Sequence, residues 1–540
     1  MTPQTSVAPG EISNTGLSTP AAQGATSGRD DKLMGGQAVP HFVQGLGLFS
    51  ATAIVMGSMI GSGIFIVPAE MSRVVGSPAL LIAAWAVTAL MTVIGALSYG
   101  ELAAMMPKAG GQYVYLRESL GPLWGFLYGW TLFVVIQTGT IAAVGVAFGK
   151  FLGVFFPSIS QTNWIVHVGS GNVGLSTANL VGILVIVLLT FTNTRGVKTG
   201  AAVQNVFTTT KVLALLGVIA VGLIAGNAVA HGANFGAGWH NFWAGAQWGT
   251  PHTISVGSFL GLGGGTAVVG VLAIVAVAQV GSLFSSDAWN NVTFTAGEVK
   301  NPKRNLPLSL AIGTGAVSLL YIACNFVYLS VLPMMGWHGM EGGDSLVVQA
   351  GIAHAAQDRV ATAVMETAFG AVGAKVMAAA ILISTFGCVN GMVLAGARVY
   401  YAMSRDGLFF KSTGKLDSKG VPKNSLWIQC AWTCLLCLSG QYGNLLDYVI
   451  LAALLFYALT IIGLFVLRRT QPDAARPYRA IGYPVLPGLY IVMAVWICGV
   501  LLRYKPQYTW PGLILVLLGV PVYMVWRRVG SRDQVLEIRN

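Results

Sequence analysis

Charge is scarce in this chain, and that scarcity excludes most of what a protein of its length could be. Of 540 residues only 9% are Asp, Glu, Lys or Arg and 55% are hydrophobic, whereas soluble globular domains carry about 25% charge. Cysteine is sparse too: all six fall within or beside apolar runs. Cys430, Cys434 and Cys437 share a helical face, yet no carboxylate or histidine lies near them, so they read as small packing residues and no metal site is expected. The seven histidines sit in the N-terminal tail or in outer segments, which argues against an intramembrane metalloprotease. Residues 1–40 have no aromatic side chain and are rich in Ser, Thr, Gly, Ala and Gln. Such a segment cannot bury enough apolar surface to fold alone, so a disordered cytoplasmic tail is expected. It also lacks the basic start and short apolar run of a secretory signal. Neither the tail nor the loops 226–265 and 333–371 carry a catalytic constellation. No enzyme activity and no cofactor are expected.

What the chain does have is long apolar runs of about 18 residues or more, the length that crosses a bilayer. Twelve are placed near 46–68, 79–105, 122–152, 176–193, 201–225, 266–297, 305–332, 372–402, 424–440, 445–467, 484–503 and 508–527. All belong to one membrane domain over 41–530, giving an all-α integral membrane fold. With the N-terminus inside, 23 of the 30 Lys and Arg residues fall in inner segments and 6 in outer ones, Lys211 lying within a span. The positive-inside rule then puts both termini in the cytoplasm. The net charge of +12 is a topology signal and carries no nucleic-acid footprint.

The first span is interrupted by Gly57-Ser58-Met59-Ile60-Gly61-Ser62-Gly63-Ile64-Phe65. Glycine weakens a helix by about 0.5–1 kcal/mol relative to alanine, so this run invites unwinding. Backbone freed at membrane depth is tolerated where it is buried in protein or lines a cavity, which points to a polar ligand site near the bilayer centre. Gly57 and Gly61 are also spaced as GxxxG, so close helix packing is the competing reading. The sixth span is interrupted at Gly281-Ser282-Leu283-Phe284-Ser285-Ser286-Asp287. Ser285, Ser286 and Asp287 are helix N-cap types in mid-span, so a new half-helix is expected there. Asp287 in lipid would cost roughly 2.5–3.5 kcal/mol, which turns it toward a cavity or a partner. Breaks five spans apart are what two inverted five-helix repeats produce, here 46–225 and 266–467 with extra helices over 484–527. Half-helix N-termini attract an anionic group while unwound carbonyls accept from a cation, and an amino acid zwitterion fits both.

Gly61-Ser62-Gly63-Ile64-Phe65, Tyr99-Gly100-Glu101-Leu102-Ala103 and Gly110-Gly111-Gln112-Tyr113-Val114-Tyr115 resemble signatures of the amino acid–polyamine–organocation (APC) superfamily. Trp289-Asn290, Glu298-Val299-Lys300-Asn301-Pro302 and Phe386-Gly387-Cys388-Val389-Asn390-Gly391 through Arg398 to Gly407 are similar to its L-type amino acid transporters. The resemblance covers about residues 45–470. It implies a LeuT-type fold of ten core helices plus two, with broken helices 1 and 6. It implies further that Ser62, Gly63 and Ile64, beside Gly61, hold the substrate carboxylate through backbone N–H groups and the Ser62 hydroxyl. Carbonyls of Met59, Phe284 and Asp287 would take the ammonium, and Phe284 would gate the site, unless it only packs. Ser285-Ser286 stand where many L-type members have Ala-Tyr, which implies a roomier or more polar pocket.

Lys211 lies about ten residues into the fifth span, and the resemblance puts it beside the first break, where sodium-coupled relatives bind an ion. It is either a surrogate for that ion and a proton carrier, or a lysine snorkelling to the inner face past Gln204, Asn205 and Thr208. Glu101 is expected to pair with an inner-loop base. Asn390 and Gly391 either line the site or pack helices. The function expected is sodium-independent secondary transport of neutral L-amino acids across the plasma membrane, by exchange in preference to proton symport. Polyamine or cationic amino acid transport is the alternative, and a membrane amino acid sensor is a weaker one. The partners expected are an amino acid and membrane lipid. The resemblance implies that a heavy subunit would attach through a cysteine in the loop after the third span; that loop, 153–178, has none, so no disulfide-linked heavy subunit is expected.

Overall fold

In the computed structural model, residues 44–168, 173–195, 197–341, 344–349, 351–438 and 442–539 are described. The tail expected over 1–40 lies outside them. The first span is two helices, α1 (Leu48–Met59) and α2 (Gly63–Val75), followed by α3 (Pro78–Met105), α4 (Gln112–Leu120) and α5 (Pro122–Thr131). A π-helical segment, Leu132–Ile136, leads into α6 (Gln137–Leu152), then α7 (Thr177–Asn193), α8 (Val197–Ile224) and a short α9 (Ala228–Asn234). The sixth span is α10 (Val271–Ser285) and a four-residue α11 (Asn291–Phe294). After it come α12 (Pro302–Val331), α13 (Val360–Arg405), α14 (Lys423–Cys437), α15 (Tyr442–Thr470), α16 (Val485–Tyr504) and α17 (Pro506–Arg539).

The punctuation of these helices is legible residue by residue. Pro78, Pro122, Pro302 and Pro506 each open a helix, where a missing N–H costs nothing. Ser176 caps α7 by accepting from the Asn179 amide at 3.2 Å. Gly76 ends α2 at φ +61°, a conformation that glycine adopts without strain.

Nine helices among the described residues are long and apolar enough to cross a membrane, and α7 and α10 are shorter apolar helices. A helix stands at each of the twelve expected positions, α14 with 15 residues being the third short one. Two boundaries move. The sixth span begins at Val271, because Thr266–Val269 is a strand paired with His252–Ser255. The eighth is longer than expected, with a kink at Gly370 (φ +62°). The loop expected over 226–265 is not featureless: it holds α9 and this hairpin. A second hairpin, Trp164–Val168 with Val173–Ser176, lies in the connection before α7.

The lysine- and arginine-rich end of the bundle is held by buried ion pairs. Glu101 meets Arg468 at 2.6 Å and Arg476 at 3.2 Å, as expected for a carboxylate paired with a base, and it accepts from the Ala480 amide at 2.7 Å. Glu298 meets Arg398 at 2.6 Å, both fully buried. Arg398 also donates to the Leu394 carbonyl. The backbone beside Glu298 is pinned to the entry of α1 by Gly45 and Leu46 amides donating to the Glu298 carbonyl at 3.0 Å. Removing one partner of a buried pair strands a charge, at about 3–5 kcal/mol. Glu298→Ala is therefore expected to lower the unfolding temperature in detergent sharply, while an exposed charge such as Glu118→Ala leaves it unchanged.

Candidate functional site

The unwinding of the first span is complete at three residues, Ile60, Gly61 and Ser62, between α1 and α2. The carbonyls released there are taken by neighbours. Cys388 Sγ donates to Ser58 O at 3.2 Å, and Ser384 Oγ donates to Ile60 O at 3.2 Å and Gly61 O at 3.3 Å. Lys211 Nζ, fully buried, donates to Gly57 O at 2.6 Å, one turn before the break. Its ammonium thus sits against the first span, away from the helix end that snorkelling requires. Gly63 and Ile64 open α2, where N–H groups have no partner within the helix and the dipole favours an anion.

The sixth span breaks differently from the N-cap pattern read in the sequence. α10 runs through Ser285, Ser286 is its C-cap, and the chain resumes as the single turn Asn291–Phe294 with a 3-10 turn at Ala296–Glu298. Asp287 caps no helix, and Tyr457 OH on α15 donates to its Oδ1 at 2.5 Å. Ser285 Oγ bonds back to the Gly281 carbonyl at 2.9 Å, and Ala288 turns the chain at φ +62°. Phe284 is buried at the end of α10.

The two breaks touch. A Cβ on Gly63 would stand 2.8 Å from Ser285 Cβ and 2.9 Å from its Cα, so only glycine fits. Tyr321 on α12 lies between them, its hydroxyl 3.0 Å from Met59 O and 3.2 Å from Ser285 O. The Met59 carbonyl also accepts from the Gly61 amide at 2.8 Å. The single Tyr321 proton is shared between the Met59 and Ser285 carbonyls in this closed arrangement, a link that the sequence could not show.

The Gly110-Gly111-Gln112 motif packs on the segment after the sixth break. Gly110 N donates to Phe294 O at 3.2 Å, and Gly111, at φ +45°, leaves no room for a Cβ beside Thr293. Gln112 accepts from Asn290 at 2.8 Å and donates to Thr460 at 3.1 Å. Trp289 stacks on Tyr457 at 5.2 Å and meets Tyr99 edge-on at 4.8 Å. A narrow cavity of about 10 Å³, room for about one water, lies along this polar seam, with Asp287, Asn290, Gln137 and Tyr128 in its wall. The π-helical residues Leu132 and Ile136 line it too. Asn390 and Gly391 are not at the break carbonyls: Asn193 donates to Asn390 at 2.8 Å, and Gly391 lies against Gln204. At the hairpin end, a wider vestibule of about 510 Å³ has Ile66, Val67 and Val277 in its wall, one turn beyond the first break. Arg73, Asp358 and Lys150 form an ion-pair cluster beside it, at 2.7 and 3.7 Å.

Residues 46–523 match the amino acid permease family. The chain belongs to that family. It is 27% identical over 483 residues to b(0,+)-type amino acid transporter 1 of Mus musculus, covering 88% of this chain and 86% of the relative. It is 28% identical over 486 residues to large neutral amino acids transporter small subunit 2 of Homo sapiens, covering 89% and 80%. It is also 28% identical over 481 residues to the serine/threonine exchanger SteT of Bacillus subtilis (strain 168), covering 88% and 95%. The permease is an integral membrane transporter of amino acids, and nothing in that family match points to an enzyme.

Sequence reading missed Tyr321, Tyr457 and Ser384. Each is one hydroxyl among many on the apolar spans, and nothing in the sequence says which of them meets another span. Tyr321→Phe in the permease removes only the hydroxyl between the breaks. A hydrogen bond contributes about 0.5–1.5 kcal/mol, so uptake should fall about threefold to tenfold with the fold retained. Uptake at the wild-type rate would show that the bridge is dispensable.

Proposed function

We propose that the permease carries neutral L-amino acids without sodium, by alternating access through a LeuT-type core of ten helices with two more. The observation that carries this is the buried Lys211 Nζ on the Gly57 carbonyl, a basic group one turn before the first break, where a coupling cation would otherwise sit. Ser62, Gly63 and Ile64, beside Gly61, would hold the substrate carboxylate at the α2 N-terminus. The ammonium would go to the Phe284 and Asp287 carbonyls, and to Met59 once Tyr321 moves, with Phe284 as the gate. The closed contact of Gly63 on Ser285 beneath an open vestibule suits a carrier poised between loading and release. The termini would be cytoplasmic, from the charge asymmetry, and the membrane would be the plasma membrane.

Exchange is the favoured coupling, in line with the name of the bacterial relative. The relatives named as small subunits imply a partner for themselves. The loop 153–178 of this chain has no cysteine for a disulfide, so the permease would work alone. Purified protein in liposomes preloaded with a neutral amino acid should release it when amino acid is added outside, with or without sodium. Strict dependence on sodium, or release only with a second subunit present, would refute the proposal. Accumulation into empty liposomes under a pH gradient would replace exchange by proton symport.

A second reading rests on Asp287, a buried carboxylate in the wall of two small cavities. It would favour a cationic amino acid side chain. Competition by lysine that vanishes in Asp287→Asn would establish it over the neutral reading.

A further inference from the structure

Between Lys211 and Asp287 the chain has no Asp, Glu, Lys or Arg. This stretch includes the whole connection 226–270 at the hairpin end, where a water-exposed segment of that length would carry about ten charges. The other long connection at that end, 332–359, carries four: Glu341, Asp344, Asp358 and Arg359. The two connections face the same end of the bundle and differ in the solvent for which they are built.

The uncharged connection has two sides. Phe235 and Phe242, each 5% exposed, stack on one another at 5.7 Å, and Phe242 reaches Phe326 of α12 at 6.4 Å. Asn234 donates to the carbonyls of Leu329 and Leu332, and the Phe242 carbonyl accepts from Ala79, so this side is fastened to α12 and α3. Trp239 and Trp243 pack on these phenylalanines but turn outward, 51% and 59% exposed, and Trp248 beyond them is 81% exposed. Trp239 holds φ +63°, a backbone conformation rare for a residue with a Cβ, and it presents the indole away from the bundle. α8 ends in Leu223 and Ile224, 75% and 88% exposed, just before α9.

We propose that residues 235–248 lie in the membrane interface of the leaflet at the hairpin end, with the indoles of Trp239, Trp243 and Trp248 at the level of the lipid headgroups. Tryptophan suits that depth because its ring is apolar and its N–H still bonds water or headgroups. Water is a poor solvent for a segment without Asp, Glu, Lys or Arg that shows three indoles, and the chain reaches it from the exposed apolar end of α8. The segment feeds directly into the hairpin 252–269 and then α10, so it would hold the entry of the broken sixth span at a set depth.

The test uses the full-length protein in phosphatidylcholine nanodiscs, with Cys434 and Cys498 replaced by Ala. Trp243→Cys and Trp248→Cys are spin-labelled, with the exposed His354→Cys on the charged connection as reference. Relaxation by oxygen, which partitions into lipid, should exceed that by a water-soluble nickel chelate at 243 and 248, and the order should reverse at 354. Because Trp248 stands outside the aromatic cluster, its variant carries the test even where Trp243→Cys fails to fold. Greater relaxation by the nickel chelate at 248 would place the segment in water and overturn the proposal. Shielding from both reagents would mean a protein cover, and would overturn it too.

Discussion

Gly63→Val is expected to abolish amino acid uptake in liposomes while leaving a monodisperse, membrane-inserted protein. The new Cβ would stand 2.9 Å from the Ser285 backbone, closer than side chains pack, and the two further methyl groups would have nowhere to go. α10 cannot retreat freely, because Ser282 bonds Thr88 at 2.7 Å and the Ser285 carbonyl is held by Tyr321. Overpacking of this kind costs about 1–3 kcal/mol, and here the strain falls on the contact that closes the two breaks together. A fall of at least tenfold is expected, tenfold corresponding to about 1.4 kcal/mol. Gly63→Ala should fall less, and Gly63→Ala with Ser285→Gly should recover part of the loss. Uptake by Gly63→Val within twofold of the wild type would show that the breaks need not meet in the transport cycle.

Lys211→Ala should cost about as much, for the opposite reason: it removes a contact that α1 depends on. The Lys211 ammonium is buried and sits 2.6 Å from the Gly57 carbonyl, while Thr208 one turn earlier donates to Ala53 O at 3.0 Å. Together they tie α1 to α8. Hydrogen bonds from charged groups contribute about 1.5–3 kcal/mol, so exchange should drop about tenfold to a hundredfold. Thr208→Val, which loses only a neutral bond, should drop it less. Should a pH gradient drive accumulation in the wild type, Lys211→Ala should abolish that accumulation as well. Exchange unaffected by Lys211→Ala would remove the ammonium from the cycle altogether.

The sequence by itself determined the helices, their order and the places where two of them fail. Apolar length and the rarity of charge set the spans, because a bilayer admits no other long unpaired stretch. Glycine spacing located the first break to within three residues, since loss of helix at Gly61 is a local property of the backbone. Asp287 was visible as a charge that lipid would not accept. Its partner was not, because Tyr457 lies 170 residues away and any of many buried tyrosines could have served. The expected half-helix at Ser285–Asp287 did not form there: Ser285 continues α10, its hydroxyl bonding back to the Gly281 carbonyl, and helix resumes only at Asn291. The contact of Gly63 with Ser285, the Tyr321 bridge, the Glu298–Arg398 pair and the seat of Lys211 on Gly57 were decided by tertiary structure alone. Each joins residues from different spans. In an apolar interior a polar group bonds with whichever partner the helix packing brings within reach, and packing is a property of the whole bundle.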